Sequence, residues 1–206
     1  MHERPPTFSG PQQQFMENDS IRWFFGGRQS GKSTVATLAI EEALEAGYDV
    51  TAMAPTHEMT MRLRERLRDI TFEKNILRST TTEMEHESGA VVEFQTPTGR
   101  FDIANGKYID QRFVIDEVHM FDPEIRERLC DPTQNGVPYA LCGSSSPEYS
   151  DVQKDAQLSR YDWVRAPTIT NPGVKPQYVQ DTLAELSGTM AYPLDDPYGR
   201  AEWDGS

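Results

Sequence analysis

The sequence predicts an α/β domain built on a largely parallel sheet, and three observations support this. Short apolar runs alternate with segments of helical spacing. The 206 residues are enough for one domain with a sizeable core, not for two large ones. The stretch "IRWFFGGRQSGKSTVATLAIEEALEAG" (21–47) sets an apolar run against a glycine-rich turn and then a helical pattern.

The elements follow in order. Residues 1–20, with Pro5, Pro6 and Pro11, are expected to form an extended arm. "IRWFF" (21–25) reads as a strand. Val35, Leu38, Ala39 and Leu44 then fall near one helical face, and Gly47 supplies a stop. "DVTAMAP" (49–55) is a second strand, closed by Pro55. The helix after it places Met59, Leu63, Leu67 and Ile70 on one side, while Arg62, Arg64, Arg66 and Arg68 suit a solvated face. Residues 79–103 alternate and turn near Ser88-Gly89, the pattern of a hairpin inserted before the next core strand. "RFVIDE" (112–117) is that strand and "PEIRERL" (123–129) a short helix. "YALCGSSSP" (139–147) is a further strand, passing into small polar residues. "YDWVRAP" (161–167) suits a last strand, and Val179, Leu183 and Leu186 mark a helix face before an irregular tail.

Composition narrows the classes. Thirty-three acidic against 20 basic residues give a net charge of −13, which argues against a general nucleic-acid binder. Lysine stands only at 32, 74, 107, 154 and 175; the other basic residues are arginines. Acid excess with scarce lysine suggests solubility in high salt, where long-range repulsion is screened. Equal activity and stability in low and molar salt would contradict that reading. No run of eighteen apolar residues exists to span a bilayer, and "MHERPPTFSG" lacks a signal peptide's apolar stretch, so an intracellular, soluble chain is expected. Cys130 and Cys142 have neither the number nor the spacing of a disulfide framework or zinc site; both are read as reduced, with Cys142 in the core.

The glycine-rich turn carries the chemistry. Gly26, Gly31, Lys32 and Ser33 fit G-x-x-x-x-G-K-[ST], the P-loop pattern, between a strand and a helix. At ordinary glycine frequency the pattern arises by chance in about one chain of this length in a hundred. Residues 26–34, including Gly27, Gln29, Ser30 and Thr34, would curl their N–H groups around a polyphosphate at the helix N-terminus. Lys32 would reach the β and γ phosphates and Ser33 would hold Mg²⁺. Hydrolysis needs a second element, and "FVIDEVHMF" supplies it. Asp116 would hold the metal through its water shell, and Glu117 would orient and deprotonate the attacking water. The plainer alternative is that the acidic pair caps the following segment.

"GGRQSGKS", "APTHEM", "FVIDEVHMF" and "SSSP", in that order, resemble the ATPase domain of the large terminase subunit of tailed double-stranded DNA viruses, over roughly residues 10–203. The resemblance implies a three-layer P-loop NTPase fold of the RecA-like (ASCE) type, with ATP and Mg²⁺ as cofactors. It implies residues 1–20 as an arm with an adenine-contacting segment, 21–190 as the ATPase domain and 191–206 as a tail where a nuclease domain normally follows. It further implies that Arg28 faces the γ-phosphate, where a guanidinium neutralises developing charge, or else bridges a nearby carboxylate. "GPQQQF" resembles the adenine-contacting segment, with Gln13 first and Gln14 next. Ser144, Ser145 and Ser146 match the coupling motif. His119, completing "DEVH", reads as packing.

The family's motor packages double-stranded DNA through a portal protein into a procapsid, usually as a ring of five, with a small terminase subunit, in the host cytoplasm. Arg100, Arg112 and Arg126 are candidates for an arginine supplied to a neighbouring subunit's site. The arginines at 62–68, Arg100 and Lys107 are candidates for DNA contact. No nuclease cluster is expected in this chain: the domain is excised, or the nuclease is separately encoded. The competing readings are the nucleotide-binding half of a DExH helicase and a non-hydrolysing ATP-binding scaffold.

Overall fold

The computed structural model describes residues 9–17, 22–27, 29–71, 75–96, 111–130, 137–144, 152, 162–166, 171 and 174–175. In chain order these form α1 (Gly10–Met16), β1 (Arg22–Gly26), α2 (Lys32–Glu45), β2 (Val50–Met53), α3 (His57–Ile70), β3 (Ile76–Ser79), β4 (Glu83–His86), β5 (Val91–Gln95), β6 (Arg112–Ile115), a 3₁₀ turn (Val118–Met120), α4 (Pro123–Cys130), β7 (Val137–Ser144) and β8 (Asp162–Ala166). The strands make one sheet in the order β3-β4-β5-β2-β6-β7-β1-β8. From β5 to β8 every pairing is parallel, and the two pairings at the β3 edge are antiparallel. The fold is the α/β, P-loop NTPase type that the sequence predicts.

Strands covered on both faces need apolar residues at consecutive positions. β1 is buried along its whole length, and the two-residue alternation sorts its side chains. Phe24, Val50, Ala52, Val114, Ala140 and Cys142 join one apolar cluster with α1, α2 and α3. Trp23, Phe25, Met53, Phe113, Ile115 and Leu141 join a second on the opposite face, with Val118, Phe121 and Ile125. α2 is buried at Val35, Ala36, Thr37, Ala39, Ile40, Ala43 and Leu44, a wider surface than one helical stripe, because sheet, α1 and α3 all pack on it. It ends as expected at Gly47, with φ +82°, the Tyr48 N–H donating to Ala43 and the Gly47 N–H to Leu44.

Several expectations need correction. Residues 10–16 of the expected extended arm are helical. Ser9 and Gln12 form a reciprocal capping box with Pro11 in the first turn, where proline's missing N–H costs nothing. Phe15 then packs edge-to-face on Phe24, and the buried Arg22 guanidinium donates to the carbonyls of Phe15 and Met16 and pairs with Glu42 at 2.9 Å. On α3 the buried positions are Thr60, Leu63 and Leu67; Ile70, at the last turn, is exposed. The turn at Ser88-Gly89 joins β4 to β5, but the hairpin is stitched into the sheet, since β5 pairs parallel to β2. β3 ahead of it was not foreseen. Cys142 is buried and reduced, its thiol held well up by desolvation. The Cys130 side chain, the 179–186 helix face and the 191–206 tail lie outside the described residues. No helix among those residues is long and apolar enough to cross a membrane.

Candidate active site

β1 ends at Gly26 and α2 starts at Lys32, so the chain has five residues in which to turn from strand to helix. Two glycines make the turn possible. A Cβ at Gly26 would lie 1.9 Å from Ser30 Oγ, and one at Gly31, where φ is +91°, would lie 2.1 Å from Gln12 Nε2. Gln29 adopts φ 59° without being glycine, which costs about 1 kcal/mol. Side chains hold the loop's carbonyls. Gln12 Nε2 donates to the Ser30 carbonyl at 3.5 Å, Asn171 Nδ2 donates to that of Gln29, and Lys32 Nζ donates to those of Gly26 and Gly27 at 3.2 and 3.1 Å.

The acidic pair follows β6. The Asp116 N–H donates to Met53 on the neighbouring strand, and its carboxylate accepts from the Glu117 N–H at 3.0 Å and from the Ser33 hydroxyl. Glu117 takes φ 52° and brings Oε1 to 4.0 Å from Lys32 Nζ. Burial pushes both carboxyls above their ordinary range. At Asp116 the Ser33 hydroxyl, Lys32 and Arg66 pull the other way; at Glu117 Lys32 and Arg66 oppose, while the Asp116 charge adds to the rise.

His119 lies beneath this pair. Its Nδ1 accepts the Ser144 N–H at 3.0 Å and lies 3.4 Å from Glu117 Oε2. That second contact is not an ion pair: desolvation first, then Lys32 and Arg126, bring the imidazole down to about 4. Expected only to pack, His119 ties the end of β7 to the acidic turn.

The loop and the turn share a cavity of about 310 Å³. Its walls are Gln29, residues 31–34, Glu117, Arg66 and Asn171. Ser33 lines it, and its hydroxyl pairs with the buried Asp116 carboxylate, a set of hard oxygens. Among the described residues no third acidic or histidine ligand joins them, which suits Mg²⁺, an ion that keeps several waters and takes the rest of its ligands from substrate phosphates. A larger cavity, about 520 Å³, opens near Tyr48 and Arg112, at the other end of β6 from the acidic pair. Its size exceeds that of the first, but it holds no phosphate loop.

Other expected residues fall elsewhere. Gln13 is exposed and donates to Glu17 at 2.7 Å, and Gln14 is exposed as well. The helical turn of α1 points Gln12 at the loop instead, because the capping box and Phe15 fix the helix's rotation. Ser144 lies in register with Gly26 on the neighbouring strand. Arg28, Ser145, Ser146, Arg100 and Lys107 lie outside the described residues. Arg112 stacks over Tyr48 at the start of β6, away from the chain's own loop. Arg126 is buried against this chain. Sequence reasoning missed Gln12, Asn171 and Arg66 as parts of the site. Only Gln12 had a signal, the S-x-x-Q spacing of a capping box.

Solved structures of large terminases are similar to this chain. The large terminase of a thermophilic bacteriophage, in complex with ATP-gamma-S, matches at 11% identity and a TM-score of 0.60, over 85% of this chain and 49% of the other. The Thermus phage P74-26 large terminase ATPase domain matches at 17% identity and a TM-score of 0.51, over 87% and 88% of the two chains. At these identities the likeness is one of fold, and the chain spans about half the length of the first protein. No protein-family model matches the sequence, and no curated protein does.

Proposed function

We propose that this chain is the ATP-hydrolysing motor domain of a viral DNA-packaging terminase. One observation carries the reading: the phosphate-loop residues Lys32 and Ser33 line one cavity with Glu117, 4.0 Å separating Lys32 Nζ from Glu117 Oε1, and the buried Asp116 accepts a hydrogen bond from Ser33. The likeness to a terminase bound to ATP-gamma-S supports ATP as the nucleotide.

In this reading Lys32 leaves the Gly26 and Gly27 carbonyls for the β and γ phosphates, and the α2 N-terminus faces the same anion. Mg²⁺, held by Ser33 and Asp116, would supply charge neutralisation on the phosphates. Glu117 orients water. The water oxygen bonds to the terminal phosphorus as the bridging oxygen departs with the bonding pair on ADP; Glu117 takes the water proton and releases it to solvent. His119 holds the turn to β7, so a change at Glu117 reaches Ser144. Duplex DNA, a portal protein on a procapsid, a small terminase subunit and further copies of this chain in a ring, usually of five, are the partners. The setting is the host cytoplasm, with a high-salt host fitting the charge.

The test compares wild type with Glu117→Gln for ATP hydrolysis, with and without Mg²⁺, duplex DNA and portal. Mg²⁺-dependent turnover that DNA and portal stimulate and Glu117→Gln abolishes is expected. Strand separation without packaging would instead assign a helicase half. Binding without turnover would assign a scaffold.

A further inference from the structure

We infer that Arg66 of α3 grips the terminal phosphate of the bound nucleoside triphosphate and stabilises its transfer, a residue-level deepening that rests on the hydrolytic reading above. α3 carries arginines at 62, 64, 66 and 68, and their surroundings differ. Arg62 pairs with Glu58 at 2.5 Å, and Arg64 donates to Ser79 Oγ and the Thr80 carbonyl at 2.8 and 2.7 Å, which fastens α3 to the β3–β4 turn. Arg66 has no hydrogen-bond or ion-pair partner among the described residues, although the chain is strongly acidic. It alone of the four lines the cavity that holds Lys32 and Glu117.

Its placement is fixed from below. Leu63 and Leu67, one on each side in sequence, are each 1% exposed in the core shared with α2, so the helix cannot roll without unpacking them. Arg66 stands on the wall of the same cavity as Lys32, Ser33 and Glu117. With a triphosphate there it would face the oxygens that gain charge as the bridging bond breaks. A planar fork of donors suits that phosphoryl group better than a point charge does.

Binding and turnover of Arg66→Ala, Arg66→Lys and Arg68→Ala, each checked for native circular dichroism, test this. The probes are ATP-gamma-S and ADP with Mg²⁺. Arg66→Ala is expected to weaken ATP-gamma-S roughly tenfold, leave ADP unchanged, and cut turnover by about 100-fold. Arg66→Lys should recover much of the binding and little of the turnover, and Arg68→Ala should match wild type. If wild type discriminates the two nucleotides and Arg66→Ala keeps the same ratio and the same turnover, the inference falls and the hydrolytic reading stands. Wild type that binds neither nucleotide overturns both.

Discussion

The phosphate loop brings Gln29 and Gly31 to the cavity on a turn set by backbone conformation, whereas the acidic turn brings the Glu117 side chain. Both turns follow strands that flank β7, and each holds a residue other than glycine in the left-handed region, Gln29 at 59° and Glu117 at 52°. The loop is braced from outside: amides of Gln12 and Asn171, from two distant parts of the chain, hold its carbonyls. The acidic turn is braced from beneath by His119 and loaded with two desolvated carboxyls. The loop therefore depends on conformation, and the turn on charge. Damage to the first should lower nucleotide affinity, and damage to the second should lower turnover.

The largest expected effect separates them most sharply. Glu117→Gln should cut ATP turnover by about 10³-fold while leaving the nucleotide dissociation constant within a few-fold, read by single-turnover kinetics beside calorimetry. Equal losses in both would erase the distinction.

Gly31→Ala comes next. It forces a Cβ into a left-handed position and against Gln12, so stability should drop by about 1–2 kcal/mol and affinity with it, as followed by urea unfolding and nucleotide titration. Pairing it with Gln12→Ala, which clears the collision, should recover part of the loss.

Gln12→Ala and Asn171→Ala alone should each weaken nucleotide binding by roughly 2–10-fold, the worth of one hydrogen bond, with little change in the rate of bound ATP hydrolysis.

The smallest effect is on pH dependence. Glu117 has a folded-state value above its ordinary 4.5, so the stability tied to its protonated form is complete below pH 4.5 and is lost as pH rises through the raised value. Glu117→Gln should thus melt a few degrees higher than wild type at neutral pH, with the gap closing toward pH 4.5. His119 has the opposite sign. Its value is depressed from 6.5 to about 4, so its contribution is complete above pH 6.5 and drains away as pH falls toward 4. His119→Asn, whose amide oxygen can accept the Ser144 N–H, should flatten that acid limb. No change in either melting profile would show that the turn is not under electrostatic load.

How much of this was legible in the sequence depends on the range of the forces involved. "RWFFG", "VTAM" and "RFVI" are apolar without alternation because both faces are covered, and that pattern is local. The P-loop spacing and the acidic pair are local as well, so the two halves of the site could be read before their meeting was seen. α1 was hidden. Seven residues with three glutamines and a proline make a weak helix by propensity, and it is held by the Ser9–Gln12 capping box, by Phe15 on Phe24 and by Arg22. Arg66 was indistinguishable from its neighbours because spacing along α3 does not show what lies across the cavity from each guanidinium. Asn171 sits 142 residues from the carbonyl it caps, a separation no pattern spans.

A single strand, β7, lies between the strand that leads into the loop and the strand that ends at the acids. Two rungs of a hydrogen-bonded ladder put those strand ends roughly 9.5 Å apart. That gauge belongs to peptide geometry and owes nothing to side-chain identity. Chains that share only 11% of their residues can therefore keep the same jaw width. Substitutions at the lining positions leave that spacing alone, whereas an inserted or deleted strand between β1 and β6 would change it.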